Sequence, residues 1–473
     1  MQCQIAREMP FFLTRIDQFW TQTAQWLHRR PWIGWLALLL GVAGFVCGGL
    51  MASHSRLVNA KFSQGDQSAY LQYARKLRET NFQHLGDRNR MPLYPGLQSL
   101  FIQNGDTKSA TFERGKYVNI GLALAGLALL WLGMRRVVTG WGNWLFTGGL
   151  AMGLFLPKAA YFQAEILYYT LFALFFMGGA YLLYRPRWWV AALLGVVAAL
   201  THWTKASILP GVVLLTLALG LRMIYATWRS FRERPEARST AWQCLLGVIL
   251  LPMVYLGGIA PYLLKSAEHF DGHYFYNVNS TFYIWCDNFE QTKKLEDAGD
   301  RKWWPRLPAD ELPSARKYFT EKAPDEIAGR LFGGMIHQFK IAKGSYGAWR
   351  FILPLVLLAA WQFWSGRAGI EPWARKYNWS LFFAACFFGA YFTLISFYSP
   401  LADGARFLFA LYAPSLAAAV WVIENFARSE RKRLGADIGV QVRTWVYRLV
   451  TVLVIIELPL KLLTFMGKVY CGS

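Results

Sequence analysis

Acidic residues are scarce in this chain: 28 Asp and Glu stand against 50 Lys and Arg, a formal net charge of +22. On a soluble protein that surplus would point to nucleic acid. Charge of either sign is itself sparse, however, at 16% of residues, while 55% are hydrophobic and 17% aromatic, more than a soluble chain carries. The six Cys are scattered, with Cys47, Cys244 and Cys386 inside apolar runs, and no pair has metal-ligand spacing, which argues against a zinc or redox centre. No internal repeat and no low-complexity linker divide the chain, so one continuous membrane domain is expected. No cleavable signal peptide stands out either. The first apolar run starts at Trp32 after a long polar lead and has the length of a true span, the pattern of a signal anchor.

What is present in quantity is long apolar runs. A hydrocarbon core of roughly 30 Å needs about 20 apolar residues per helix. Trp32 to Ala52, Tyr117 to Met134 and Trp242 to Leu264 meet that need with no charge inside. The same pattern places further helices at Trp141 to Leu156, Tyr161 to Tyr184, Trp188 to Thr204, Ile208 to Tyr225, Trp349 to Trp364, Trp379 to Tyr398, Phe407 to Ile423 and Val446 to Phe465. The expected fold is an all-α polytopic membrane protein of about eleven transmembrane helices. Trp recurs at their ends, as in an interfacial aromatic belt.

Lys and Arg near span ends are retained on the cytoplasmic side. Arg29 and Arg30, Arg135 and Arg136, Arg185 and Arg187, Arg229 to Arg238, Arg367 to Lys376 and Arg428 to Arg433 recur after every second span, so most of the charge is topological. The chain then divides into a cytoplasmic N-terminus (1–31), a membrane module (32–264) with a first extracytoplasmic loop at 53–116, a second such loop at 265–346, and C-terminal helices (347–473). Chemistry is expected on the side of the two loops. Cys286 and Cys471 both face that side, where a disulfide between them is permitted.

In the first loop, Tyr70, Tyr73, Ala74 and Leu77 fall at helical spacing and predict an amphipathic helix at the membrane surface. Asp66 stands at its start. There it serves as an N-cap, as a favourable charge at the positive end of the helix dipole, or as a general base just outside the bilayer. Asp87-Arg88-Asn89-Arg90-Met91-Pro92-Leu93-Tyr94-Pro95-Gly96 follows, a basic cluster entering a Pro-bounded turn. Arg88 and Arg90 there are either interfacial cations or guanidinium forks for a phosphate. Glu165, at the extracytoplasmic end of an apolar span, needs a partner, a wet cavity or a route to water. Thr201-His202-Trp203-Thr204-Lys205-Ala206-Ser207 sets a Lys, a His and hydroxyls at the same level, as interfacial anchor or as site. In the second loop, Phe270 to Trp285 carries His273, Tyr276 and Asn279 among aromatics, either an interfacial segment or an acceptor pocket. Together two carboxylates and several cations converge on one face, a minimum kit for activating a hydroxyl and stabilising a departing phosphate.

The order of these motifs resembles the GT-C superfamily of membrane glycosyltransferases, nearest to the protein O-mannosyltransferase and lipid A aminoarabinose transferase type, glycosyltransferase family 39-like. The likeness runs from Asp66 with its surface helix, through Arg90-Met-Pro-Leu-Tyr-Pro95 and Ala164-Glu165-Ile-Leu-Tyr168, to Leu200-Thr-His-Trp-Thr-Lys205-Ala-Ser207. It covers roughly the first half of the chain; in the second half, Gly404-Ala-Arg406-Phe-Leu is similar to the family's Arg-Tyr-Leu entry into a late span. The resemblance implies sugar transfer from a polyprenyl-phosphate donor to a lipid, glycan or protein hydroxyl, at the periplasmic face of a bacterial inner membrane. It implies Asp66 as base, Arg90 and Lys205 at the donor phosphate and Glu165 near the acceptor; the reading of the residues adds Arg88 to the phosphate candidates and Tyr70, His202, His273, Tyr276 and Asn279 to the site-lining ones. Many relatives carry two adjacent acids where this chain has Asp66 followed by Gln67, so a divalent cation is not supported and no cofactor is expected. A Rossmann-like glycine fingerprint is lacking, so a nucleotide-sugar fold is not expected. A lipid or sugar transporter or flippase remains the alternative, although its polar groups belong at the midplane of repeated halves. A cell-envelope glycan polymerase or ligase would share the donor chemistry.

Overall fold

The computed structural model describes residues 61–434 apart from 64–65, 85–89, 136, 139, 160, 233–236, 270–280, 299–306, 309, 346–348, 366 and 402–404, and also 46, 48–52, 446–447 and 449–450. Most of the first and last expected spans, together with Arg88, His273, Tyr276, Asn279 and Cys471, therefore lies outside the described residues.

Every regular element among the described residues is helical. The surface helix α1 (Gln67–Glu79) and the short α2 (Leu93–Ser99) precede α3 (Lys108–Met134). Next, α4 (Gly140–Leu150) passes through a π-helical turn (Ala151–Phe155) into a last turn at Leu156–Ala159. Then come α5 (Glu165–Tyr184), α6 (Trp188–Thr204), α7 (Leu209–Arg232) and α8 (Ala237–His269). The second loop contributes α9 (Phe289–Asp297), α10 (Ala315–Glu321) and α11 (Pro324–Ser345), before α12 (Trp349–Ser365), α13 (Arg367–Tyr398) and α14 (Ala405–Leu434).

Six of these helices have the length and composition to cross a bilayer: α3, α5, α7 with its leading 3-10 turn, α8, α13 and α14. Two shorter apolar stretches, α6 and Pro354–Trp364 of α12, accompany them. Their burial sorts them into layers. In α5 and α14, 61% and 67% of the apolar window is buried, against 28–39% in the other four long spans. Thus α5 and α14 form the inside of the bundle, while Leu217, Ile224 and Met253 on α7 and α8 stay exposed, as expected of lipid-facing side chains.

Small residues let the helices close up, which matters in a bilayer where apolar burial no longer drives association. Gly195 on α6 approaches α8 so closely that an added Cβ would meet the Leu251 carbonyl oxygen at 2.9 Å and Val254 Cβ at 2.8 Å. One turn on, Ala199 faces Gly258. The basic end of the bundle is marked by Arg135, Arg185, Arg229 and Arg232, whose guanidinium groups lie 4.9–5.9 Å from the ring centres of Trp131, Tyr184, Tyr225 and Trp228. Arg428 on α14 donates to the Val137 carbonyl at 2.9 Å, joining two of the basic segments there.

At the other end the first loop is a packed cap. Tyr70, Tyr94 and Phe162 stand edge to face in series, with centroids 5.4 and 5.7 Å apart. Tyr94 is fully buried and receives a hydrogen bond from Gln98 at 3.0 Å. Gly115 makes this packing feasible, because a Cβ there would sit 2.0 Å from the Phe162 ring. The second loop packs against the end of α13, where Arg330 stacks 4.1 Å from the Phe397 ring centre and donates to the Phe397 and Ile284 carbonyls.

Candidate functional site

Asp66 immediately precedes α1 but does not cap it. Its backbone is already in the right-handed helical region, and its side chain makes no capping bond. Both oxygens turn instead to arginines: Oδ1 accepts from Arg90 Nη2 at 3.0 Å and Oδ2 from Arg406 Nη1 at 2.7 Å. Burial raises the Asp66 carboxyl pKa, but the positive charges of Arg406 and Arg90 and the hydrogen bonds they donate outweigh it and hold the group below its usual value. The capping reading of Asp66 is thereby corrected, since two guanidinium donors outcompete the orphan amides of a short amphipathic helix.

Neighbouring side chains fix both arginines. The Arg90 guanidinium lies 5.7 Å from the Tyr70 ring centre and its side chain is 9% exposed. Arg406 opens α14, and its carbonyl accepts from the Tyr169 hydroxyl on α5 at 2.7 Å. The residue after the carboxylate, Gln67, is fully buried and its Oε1 accepts the Phe162 amide at 2.8 Å. Asn119 on α3 donates to the Tyr161 carbonyl next door. These two contacts hold residues 161–162 out of the helix. They explain why α5 starts at Glu165, four residues later than the apolar pattern predicts.

Glu165 thus sits at the first turn of an inner helix with its side chain 4% exposed, and Lys205 Nζ donates to its Oε1 at 2.8 Å. Its Oε2 is buried and, among the described residues, accepts no hydrogen bond. Lys205 lies in extended backbone between α6 and the 3-10 turn at Ala206–Ile208. That link is tied down on two sides. Ser207 donates to the Tyr168 hydroxyl on α5 at 2.8 Å, and Tyr391 on α13 donates to the Ser207 carbonyl at 2.8 Å.

Of the residues singled out from the sequence, the structure therefore gathers Asp66, Arg90, Glu165, Lys205 and Tyr70. His202 is fully buried between α6 and α8, with Nδ1 2.9 Å from the Tyr255 hydroxyl. Two cations join that sequence reasoning left out of the site. Arg406 was visible as part of a motif, but its partner lies 340 residues away. Lys158 was not singled out from the sequence; it comes close enough for Glu165, Lys205 and Arg406 to act on its charge. Two carboxylates among four cations leave a formal surplus of two positive charges, a setting suited to a phosphate.

No family profile and no curated protein matches this chain. Among solved structures it is similar to the archaeal oligosaccharyltransferase AglB from Archaeoglobus fulgidus, in complex with an inhibitory peptide and a dolichol-phosphate, at 13% identity and a TM-score of 0.44. The match covers 88% of this chain and 56% of that one, so the chain spans little more than half its length.

Proposed function

We propose that the protein is an integral-membrane glycosyltransferase of GT-C architecture. It moves a sugar from a polyprenyl-phosphate-linked donor to the hydroxyl of a lipid, glycan or protein acceptor. One observation carries this reading: an ionised carboxylate, Asp66, meets a surplus of cations at one end of a helix bundle, beside a second buried carboxylate with an oxygen to spare. Polar groups gathered at an end suit a lipid-borne substrate that meets a water-borne one. Among the described residues, the charged groups buried in the spans lie toward the helix ends, unlike a transporter's midplane site.

The proposed reaction is a single displacement with inversion. The acceptor oxygen attacks the anomeric carbon, its proton passes to Asp66, and the carbon to phosphate-oxygen bond breaks with its electron pair leaving on the lipid phosphate. Arg90 and Lys205 face the departing oxygens, while the free oxygen of Glu165 accepts from the acceptor and orients it. A carboxylate clamped by two guanidinium groups is a weak base. As a donor phosphate draws Arg90 toward itself, Asp66 loses one of the charges that depress its proton affinity and becomes a better one. The basic helix ends favour the cytoplasm, which supports a site on the opposite face, the periplasm for a bacterial inner membrane.

The test is transfer of labelled sugar from a polyprenyl-phosphate donor pool in membranes holding matched amounts of wild type or Asp66→Asn. Transfer by the wild type, reduced by about 10²-fold or more in the variant, is the expected result. Equal transfer by both would sink the assignment of Asp66 and the mechanism with it.

A further inference from the structure

Of the four cations in the site, three are held by carboxylates: Arg90 and Arg406 share Asp66, and Lys205 holds Glu165. Lys158 differs. Among the described residues its side chain makes neither an ion pair nor a hydrogen bond. Its ammonium instead lies 5.7 Å from the ring centre of Tyr161 and 5.4 Å from that of Phe409 on α14. Aromatic faces replace part of the hydration an ammonium gives up on burial, yet they satisfy none of its three N–H donors. A partly buried cation with all three donors in hand is a site for an anion.

The backbone supports the same point. The last turn that carries Lys158 is reached through the π-helical turn at Ala151–Phe155, which shifts the residues after it out of α-helical register. Such turns occur mostly as single insertions and often at functional sites, where a side chain has been re-aimed. Here the residue so placed reaches Phe409, one helical turn on from Arg406, and lies within electrostatic reach of Glu165, Lys205 and Arg406.

We propose that Lys158 is a ligand of the lipid-borne phosphate, supplying the ammonium that no carboxylate in the cluster neutralises. This rests on the glycosyltransferase reading and adds to it. Arg90 and Lys205 each spend a donor and part of their charge on a carboxylate, whereas the Lys158 ammonium keeps its full set. Its role is binding, both of the donor and of the lipid phosphate left behind after transfer.

The test uses the full chain in nanodiscs of zwitterionic phosphatidylcholine. Affinity for a long-chain polyprenyl monophosphate is measured beside affinity for the uncharged polyprenol, in wild type, Lys158→Ala, Lys158→Gln and Lys158→Arg. The readout is the ratio of the two affinities, because a damaged fold lowers both. The expected result is a preference for the phosphate in wild type that falls about tenfold or more in Lys158→Ala and Lys158→Gln and survives in Lys158→Arg. An unchanged preference in both neutral variants would overturn the role of Lys158 and leave the wider reading standing. No preference in the wild type itself would overturn both.

Discussion

Asp66 stands where a carboxylate ordinarily caps a helix, and its oxygens go elsewhere. Its pairing with Arg90 and Arg406 makes a definite pH signature. The folded carboxyl titrates below its ordinary 3.8, so the stabilisation from this pairing is complete above that value and is lost as pH falls through the lowered one. Thermal unfolding in detergent should therefore find Asp66→Asn less stable than wild type at pH 7, with the difference vanishing at a pH well below 3.8. The Glu165 pair behaves differently because the carboxylate is buried. Lys205→Met leaves that charge without its partner and should cost about 3–5 kcal/mol. The double variant with Glu165→Gln should recover most of this, as read from denaturation midpoints. How these residues pair was only half legible in the sequence. Asp66, Arg90, Glu165 and Lys205 could be marked as charges at span ends, because ionisable groups near a bilayer need a reason. That Asp66 takes Arg406 could not, since no local spacing encodes a contact across 340 residues. Lys158 escaped notice because one Lys after an apolar run matches an interfacial anchor.

The helices themselves were the legible part. Hydropathy marks the stretch of a helix inside the bilayer, and α6 runs over Trp188–Thr204 as predicted. It does not mark where a helix ends in water, so α13 starts twelve residues earlier than expected and α14 runs eleven residues further, to Leu434. It also misses interruptions. The π turn in α4 is one; the broken start of α5 is another, and it goes with contacts to Asn119 and Gln67 on other elements, which leave no trace in an apolar period. The α6 to α8 interface offers an element-scale test. Gly195→Leu forces a side chain against the Leu251 carbonyl, a backbone atom that cannot swing aside. It should destabilise the protein by about 1–3 kcal/mol or more, seen as a lower unfolding midpoint, whereas Leu193→Ala on the exposed face of the same helix should change little.

For the molecule as a whole, charge and aromatic residues give the bundle two unlike ends. Arginines stacked on Trp and Tyr mark one end. The packed first loop and the ion-pair cluster occupy the other. If the basic end stays in the cytoplasm, an alkaline phosphatase reporter fused after residue 232 should be inactive in a bacterial host, and one fused after residue 298 should be active. The reverse pattern would turn the cluster toward the cytoplasm and remove the periplasmic assignment.

Arg406 enters the membrane with α14, long after Asp66 has emerged from the ribosome. During synthesis the carboxylate must wait through some 340 residues with one of its two guanidinium partners missing, and Tyr169 waits for the same backbone. The ion-pair cluster is therefore among the last features of the molecule to form, and a chain whose insertion stalls before α14 has a membrane domain without a finished site.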